Sequence, residues 1–390
     1  MPIRFRGPVR PKKLKSPDPI KMPVVRNDKV PKIKSEVLYY KENGSLPEVD
    51  PPWRSLEVYM NLPSSGSSAR GADCVVVDGD IMALHVGDNV SSVYFYKRTG
   101  TTWQQTDTLS LSDISSGRTV FDRENNCVYV GQPNISNFSG QTMRYDFDFA
   151  TGTVTNAGDV CVDIATPYGL EGRQLVMYKD LLVVSAPTWR QSTDYGGLIG
   201  YRSRTDTLNS RKTVSHNLSD SSVHTQAYLT GLQFPPYDDL MFGGSMDVDG
   251  DRLLVAAIGR PQENSGAHSF ISVFKYDESE SEMTEVQRIA NPFPMPTNDY
   301  RIIAVRAKEG SMVAVCTGNK EQSNTETFSI IEYTWNGTEY VRGGWYNLPD
   351  EIYLGVSYNP RRMYNITMLS ATEILIPYQD GTGRIMKVTK

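Results

Sequence analysis

Short apolar runs recur along the chain, separated by turn-forming residues. In the clearest copy, strand-like runs lie at Gly244–Val248 and Leu253–Ile258, on either side of Asp249-Gly250-Asp251. A third run ends at Tyr276, and a fourth covers Glu285–Ala290. Asp-Gly between apolar runs indicates a hairpin with a type I′ turn, which needs positive φ at both central residues. This segment therefore predicts four short antiparallel strands.

The same four-strand pattern occurs five times, and a sixth, shorter copy follows. The unit that begins at Cys74 repeats the turn at Asp78-Gly79, and more diverged units begin near residues 118, 168 and 302. A repeat of about 40–60 residues is typical of stacked or radially arranged supersecondary units. Four antiparallel strands per unit is the pattern of a β-propeller blade.

The two ends of the chain are predicted to form the sixth four-stranded unit together. The sixth copy runs from Gly355 through Ile374–Ile376 to the last residues and supplies only three strands. Trp53–Leu62 resembles the outer strands of other copies in its leading aromatic residue, its alternation and its closing leucine. Pairing the two ends would close the ring without an unpaired sheet edge.

We therefore predict an all-β fold: a six-bladed β-propeller over residues 51–390, closed by an N-terminal strand in the C-terminal blade. A basic, proline-rich extended arm at residues 1–50 precedes it. Seven blades remain an alternative, because Ser221–Met241 is long enough to contain further strands.

The strand ends resemble the FG-GAP repeat of integrin-α-type β-propellers. The resemblance covers most of residues 65–390 and implies the same fold. It rests on Phe242-Gly243 and Tyr168-Gly169, and on Ser185-Ala186-Pro187, Gly131-Gln132-Pro133 and Ala257-Ile258-Gly259 at the ends of second strands.

Calcium-binding loops in that family place several oxygen-bearing side chains within about nine residues, since calcium needs ligands that converge from several positions. The best match here is Asp247, Asp249 and Asp251. The same residues also suit a plain hairpin turn, so they are only a weak calcium candidate, and we expect no metal and no cofactor.

Charge is distributed unevenly along the chain. Residues 1–35 contain eleven Lys or Arg, two Asp and seven Pro, for a net charge of +9. The whole chain carries −5, so residues 36–390 carry −14. Proline removes backbone donors and favours extended conformations, so this arm cannot build a sheet or helix alone. The basic residues expected to dock it are Arg4, Arg6, Arg10, Lys12, Lys13, Lys15, Lys21 and Arg26.

The arm suits either nucleic acid or an acidic protein partner. Phosphate contacts need only positive charge and reach. Single-stranded nucleic acid also favours interleaved aromatic residues, and Phe5 is the only aromatic residue before Tyr39. This balance favours other proteins of a large assembly as partners. A flexible solubilising tail is the alternative.

Loops between second and third strands, and the crossings between blades, emerge on one rim of a propeller. Aromatic and arginine side chains there are typical of binding surfaces for a protein or glycan ligand. Packing on their own blade is the alternative. We call this surface the loop face, and its candidate residues are Trp189, Arg190, Tyr195, Phe234, Tyr237, Asp238, Asp239 and Arg260.

No catalytic motif is present. The four histidines are scattered, and HExxH, GxSxG, P-loop and dinucleotide-binding patterns do not occur. We therefore expect a non-enzymatic protein, with a glycan-acting propeller enzyme as the third alternative.

The four cysteines, Cys74, Cys127, Cys161 and Cys316, lie singly inside apolar runs, which indicates buried free thiols. No stretch is long and apolar enough to span a membrane, and the N-terminus lacks a secretory signal. A propeller with a basic arm and no signal suggests a virion component assembled in a host cytoplasm, such as a neck, tail or capsid-attached protein of a tailed bacteriophage. A free cytoplasmic interaction platform, with an arm that binds nucleic acid or a membrane surface, is the alternative.

Overall fold

The computed structural model describes most of the chain after residue 52, apart from segments between strands. The described residues are 53, 55–61, 72–86, 92–111, 117–133, 140–156, 158–162, 173–186, 190–191, 194–195, 198–203, 212–215, 240–259, 269–280, 282–291, 301–319, 326–348, 366–378 and 384–390. The regular structure in these residues is entirely β-strand. The predicted arm, residues 1–50, lies outside them.

The strands within the described residues form six sheets of four or five strands and one short hairpin. Sheet 1 contains β2 (Ala72–Asp78), β3 (Ile81–Val86), β4 (Ser92–Thr99) and β5 (Thr102–Ser110). Sheet 2 contains β6 (Thr119–Asp122), β7 (Cys127–Gln132), β8 (Gln141–Asp148), β9 (Thr153–Val154) and β10 (Asp159–Val162). Sheet 3 contains β11 (Leu175–Tyr178), β12 (Leu181–Ala186), β15 (Leu198–Ser203) and β16 (Lys212–Ser215), and β13 (Arg190–Gln191) and β14 (Asp194–Tyr195) form the hairpin.

Sheet 4 contains β17 (Leu240–Asp249), β18 (Arg252–Gly259), β19 (Phe270–Asp277) and β20 (Glu282–Ala290). Sheet 5 contains β21 (Arg301–Lys308), β22 (Ser311–Asn319), β23 (Glu326–Trp335) and β24 (Tyr340–Asn347). Sheet 6 joins β1 (Ser55–Asn61) to β25 (Thr367–Ser370), β26 (Glu373–Tyr378) and β27 (Arg384–Thr389).

Strand burial explains why the repeats appear in the sequence as apolar runs. Every side chain of β3 and of β7 is buried, because these second strands are covered on both faces. The outer strand β20 instead alternates between exposed and partly buried side chains. Continuous apolar runs and period-two alternation are the signatures of these two environments.

The two ends of the chain pair with each other. β1 lies antiparallel to β27, from Ser55↔Thr389 to Asn61↔Arg384, with an irregularity between Val58 and Met60. This is the predicted pairing, and it provides sheet 6 with its outer strand. Trp53, immediately before β1, is fully buried among residues of sheets 4, 5 and 6.

The first strands of the sheets contact one another in a closed cycle. The contacts run from β2 to β6, β11, β17, β21 and β25, and from β25 back to β2. The fold is therefore a β-propeller, and its five sheets from β2 to β24 follow one another along the chain. Sheet faces pack against neighbouring sheets in five apolar clusters rather than around one central core.

The predicted type I′ geometry of the Asp-Gly turns is wrong. Gly79 and Gly250 both have φ of +60°, but they occupy the first central position, while Asp78 and Asp249 are the last paired residues of their strands. The second central residues, Asp80 and Asp251, are not among the described residues with positive φ. Positive φ at the first position alone is the type II′ pattern.

Three of the predicted buried thiols are confirmed. Cys74, Cys127 and Cys316 are free and buried, and burial raises the pKa of Cys127 and Cys316. Cys161 lies in β10, where its side chain is outside the described residues.

Candidate functional site

The predicted loop face falls largely outside the described residues. Among its candidates, Trp189, Phe234, Tyr237, Asp238, Asp239 and Arg260 are not described. The backbone of Arg190 and Tyr195 is described, and the two residues are directly paired across the hairpin of β13 and β14. This hairpin, which the sequence did not predict, lies between the second and third strands of sheet 3 and brings two of the candidates together.

A buried polar network lies on the first strands, around the propeller axis. Sequence analysis missed this axial network, which is centred on Arg118, Asp247 and Arg306. The available signal was a charged residue inside an apolar run, as at Arg306 within β21. Burying charge is costly unless it is paired or hydrogen-bonded, so such a position indicates a specific set of partners.

Arg306 links three sheets. Its Nη1 donates to Ser245 Oγ at 2.7 Å and to the Met246 carbonyl at 3.1 Å, both on β17. Its Nε donates to the carbonyl of Ile366, which immediately precedes β25. Burial, reinforced by the nearby charge of Arg118, lowers the pKa of Arg306 to about 9, so the group stays protonated at neutral pH.

Arg118 reaches across the axis from the start of sheet 2. Its Nη1 donates to the Met246 carbonyl at 2.7 Å and, more weakly, to Gln174 Oε1 at 3.4 Å. Its Nη2 lies 3.6 Å from Asp247 Oδ1, while the other Asp247 oxygen accepts a hydrogen bond from the Ala307 amide at 2.9 Å. Two guanidinium groups therefore share one carbonyl oxygen, and the Asp247 carboxylate lies beside one of them.

Two further buried contacts continue the network into sheet 1. His85 Nε2 lies 2.6 Å from Thr119 Oγ1 and connects sheets 1 and 2. Thr367 donates its hydroxyl to the Val75 carbonyl and connects sheets 6 and 1. Burial lowers the pKa of His85 to about 3, so the imidazole is neutral at physiological pH. A neutral histidine with this pKa cannot act as a pH-7 proton shuttle.

The three calcium candidates contact cationic and N–H groups. Asp249 accepts hydrogen bonds from Arg252 Nη2 at 2.9 Å, from the Gly310 amide and from Tyr340 OH. Burial opposes ionisation of Asp249, but these bonds outweigh it and lower the pKa. Asp251 pairs with Lys275 at 2.8 Å and with Arg252 at 3.0 Å.

No group of three or more His, Cys, Asp or Glu side chains that could hold a metal ion occurs in the described part of the chain. Nor do those residues contain a helix able to cross a membrane.

A cation–π cluster lies beside Asp249, on the face formed by the tight turns between first and second strands. The Arg252 guanidinium lies 4.1 Å from the centroid of Trp335 and 5.6 Å from that of Tyr340. Because Arg252 belongs to sheet 4 and both rings belong to sheet 5, the cluster joins adjacent sheets. We call this surface the turn face.

An open cleft of about 480 Å³ lies at the edge of the turn face, between sheets 3 and 4. Lys179 crosses it to pair with Glu278 at 3.0 Å. The lining residues are Lys179, Lys275, Tyr276, Asp277, Glu278, Ser279 and Thr284.

The Lys179–Glu278 pair joins sheets 3 and 4, whereas Lys275 pairs with Asp251 within sheet 4 and Asp277 accepts hydrogen bonds from Ser279 in its own turn.

No protein-family model and no curated protein sequence matches the chain. Among solved structures, the chain is similar to one from an S. cerevisiae complex of Dbp5 with Nup159, Gle1, IP6 and ADP. The two are 9% identical with a TM-score of 0.42, and the similarity covers 88% of this chain and 98% of that one.

Proposed function

We propose that this protein is a non-enzymatic interaction platform: a six-bladed propeller whose N-terminal arm docks it onto a large assembly while the loop face binds a ligand. The observation that carries the proposal is the closed cycle of first-strand contacts through six sheets. A closed ring with inter-sheet hydrogen bonds provides a rigid surface, and rigidity reduces the entropy lost when loops on it bind a partner.

The six-blade count is supported by sheet 6, in which three C-terminal strands gain β1 as their fourth. The number of blades can be counted in an experimental density map. Six blades would support the proposal, and seven would contradict it.

The non-enzymatic part of the proposal is supported by the chemistry of the axis. Among the residues that the structure describes, Arg118 and Arg306 donate to backbone carbonyls there, and His85 is held neutral. A hydrolase would need an activated nucleophile or a pair of carboxylates with separated pKa values. Hydrolysis of a glycoside library by the purified protein, lost on changing Asp247 to Asn, would contradict this part.

The arm is proposed as the docking element because its charge is opposite to that of the rest of the chain. It carries +9 over residues 1–35, against −14 for residues 36–390. Its prolines lower the conformational entropy that an extended segment loses on binding. We propose that the assembly is a virion of the tailed-phage kind, supported by the combination of a basic arm with a propeller.

Deletion of residues 1–35 tests the docking role. The truncated protein is expected to remain soluble and folded but to be absent from the purified assembly. A matched control replaces Arg4, Arg6, Arg10, Lys12, Lys13 and Lys15 with Gln at full length, which removes charge but retains chain length and proline content. Copurification of the truncated protein with the assembly would exclude the arm as the anchor, and a purified virion that lacks the protein would exclude the virion role.

Nucleic acid is the competing partner for the arm. Binding to phosphates is steeply salt-dependent because it releases counterions. A peptide of residues 1–35 that binds duplex or single-stranded DNA at 50 mM salt and loses affinity by about 10³-fold at 200 mM would favour that alternative.

The loop face is tested at the β13–β14 hairpin. Arg190→Ala and Tyr195→Ala are expected to weaken ligand capture by about tenfold or more each if these side chains carry interface energy. Arg98→Ala, an exposed arginine of the turn face, is the matched control. Equal capture by all three variants would place the binding surface elsewhere.

A further inference from the structure

Two cationic side chains of the axial network lie close together. Arg118 and Arg306 both donate to the carbonyl of Met246, so the two guanidinium groups are close to each other. Their mutual repulsion is evident in the pKa of Arg306, which the charge of Arg118 helps to lower. Asp247 is the carboxylate that contacts Arg118, and it also accepts from the Ala307 amide.

Arg118 has donor capacity to spare. A guanidinium carries five N–H donors in a planar fork that suits oxyanions. Nη1 makes its two hydrogen bonds, whereas Nη2 lies 3.6 Å from Asp247, beyond the usual length of a hydrogen bond. Solvent reaches this part of the axis, since the side chains of Arg118 and Asp247 are 10% and 18% exposed.

From this geometry we propose that the axis binds a small oxyanion at Arg118, next to Arg306. The anion accepts from the Nη2 group of Arg118 and takes the place of Asp247 as its main counter-charge. Bidentate guanidinium–oxyanion pairs are among the stronger hydrogen-bonded contacts in proteins, and here the low-dielectric surroundings strengthen them. The site does not depend on the role of the arm or on the loop face.

Phosphoryl and carboxylate groups both accept hydrogen bonds from a guanidinium. Melting temperatures in different salts distinguish the two classes of anion. The melting temperature of the full-length protein is measured in sodium phosphate, sulfate, acetate and chloride at equal ionic strength. A site for tetrahedral anions predicts a rise of about 2 °C or more in phosphate and sulfate over chloride, because a ligand that binds only the folded state raises its stability. A carboxylate site predicts the rise in acetate instead.

Two substitutions with opposite expected effects distinguish a binding site from general damage. Arg118→Gln removes the binding group and should abolish the anion-dependent rise. Asp247→Asn removes the competing charge but keeps an oxygen that can accept from the Ala307 amide. It should therefore enlarge the anion-dependent rise in melting temperature. It should also lower the phosphate concentration that gives half of that rise by about threefold or more. Arg98→Gln is the matched control and should leave the rise unchanged.

Identical melting temperatures in all four salts would overturn the proposal. It would also be overturned if Arg118→Gln retained the rise or if Asp247→Asn reduced it. Should Arg118→Gln fail to fold, Asp247→Asn and calorimetric titration of the unaltered protein with phosphate still decide the outcome.

Discussion

At the scale of single residues, the buried His85 makes the stability of the fold depend on pH. His85 is 2% exposed and contacts Thr119, and its pKa is lowered to about 3 from an ordinary value of 6.5. Between pH 6.5 and about pH 3 the unfolded chain binds a proton that the folded protein excludes, so stability falls as the pH falls, by about 1.4 kcal/mol per pH unit. Above pH 6.5 this contribution is constant.

We expect His85→Gln to flatten this dependence. Chemical denaturation at pH 6.5, 5.5 and 4.5 measures the free energy of unfolding in a range above the titration of most carboxyl groups. The variant should stay folded at pH 7. Its free energy of unfolding should fall less steeply as the pH falls, because about one fewer proton is taken up on unfolding. An unchanged slope would show that His85 is protonated in the folded state.

At the scale of elements, β1 contributes to the fold far more than its exposed outer position suggests. It gives sheet 6 its fourth strand, and the Trp53 side chain before it donates to Glu332 Oε1 at 2.8 Å in sheet 5. Lys390, after β27, contacts both oxygens of the same carboxylate at 2.8 Å. One glutamate thus binds the residues that precede β1 and follow β27, at the Ser55↔Thr389 end of the paired strands.

Removal of residues 1–62 should therefore destabilise the whole propeller, whereas removal of residues 1–35 should not. We expect the longer deletion to lower the melting temperature by more than 10 °C or to prevent folding, because it exposes a sheet edge and empties the site of Trp53. Thermal unfolding followed by circular dichroism compares the two. Equal melting temperatures would show that β1 is dispensable.

The elements were more predictable from sequence than the site. Apolar runs such as Leu253–Ile258 located the second strands, since burial on both faces demands continuous apolar side chains. The turn type was misjudged because Asp249 stays paired as the last residue of its strand. The axial network was missed because partners such as Arg306 with Ser245, and Arg118 with Met246, are more than 60 residues apart in sequence.

At the scale of the whole propeller domain, each sheet is held by two neighbours. Polar contacts link sheets 1 and 2 through His85 and Thr119, and Arg306 joins sheets 4, 5 and 6. A linear array of repeats can lose its end units first, because each end has a single interface. A closed ring offers no such weak end.

We therefore expect unfolding in one cooperative transition. Tryptophan fluorescence and far-ultraviolet circular dichroism should give coincident denaturation curves. Arg306→Met should shift both curves together by about 3 kcal/mol or more, because buried carbonyl and hydroxyl acceptors in three sheets lose their donor. Two separated transitions would show that the sheets unfold in groups.

The clasp at Glu332 also breaks the rotational equivalence of the ring. Trp53 and Lys390 both contact this carboxylate, so the junction of sheets 5 and 6 holds the start of β1 and the end of β27 together. A change at this single side chain therefore acts on both segments that close the ring.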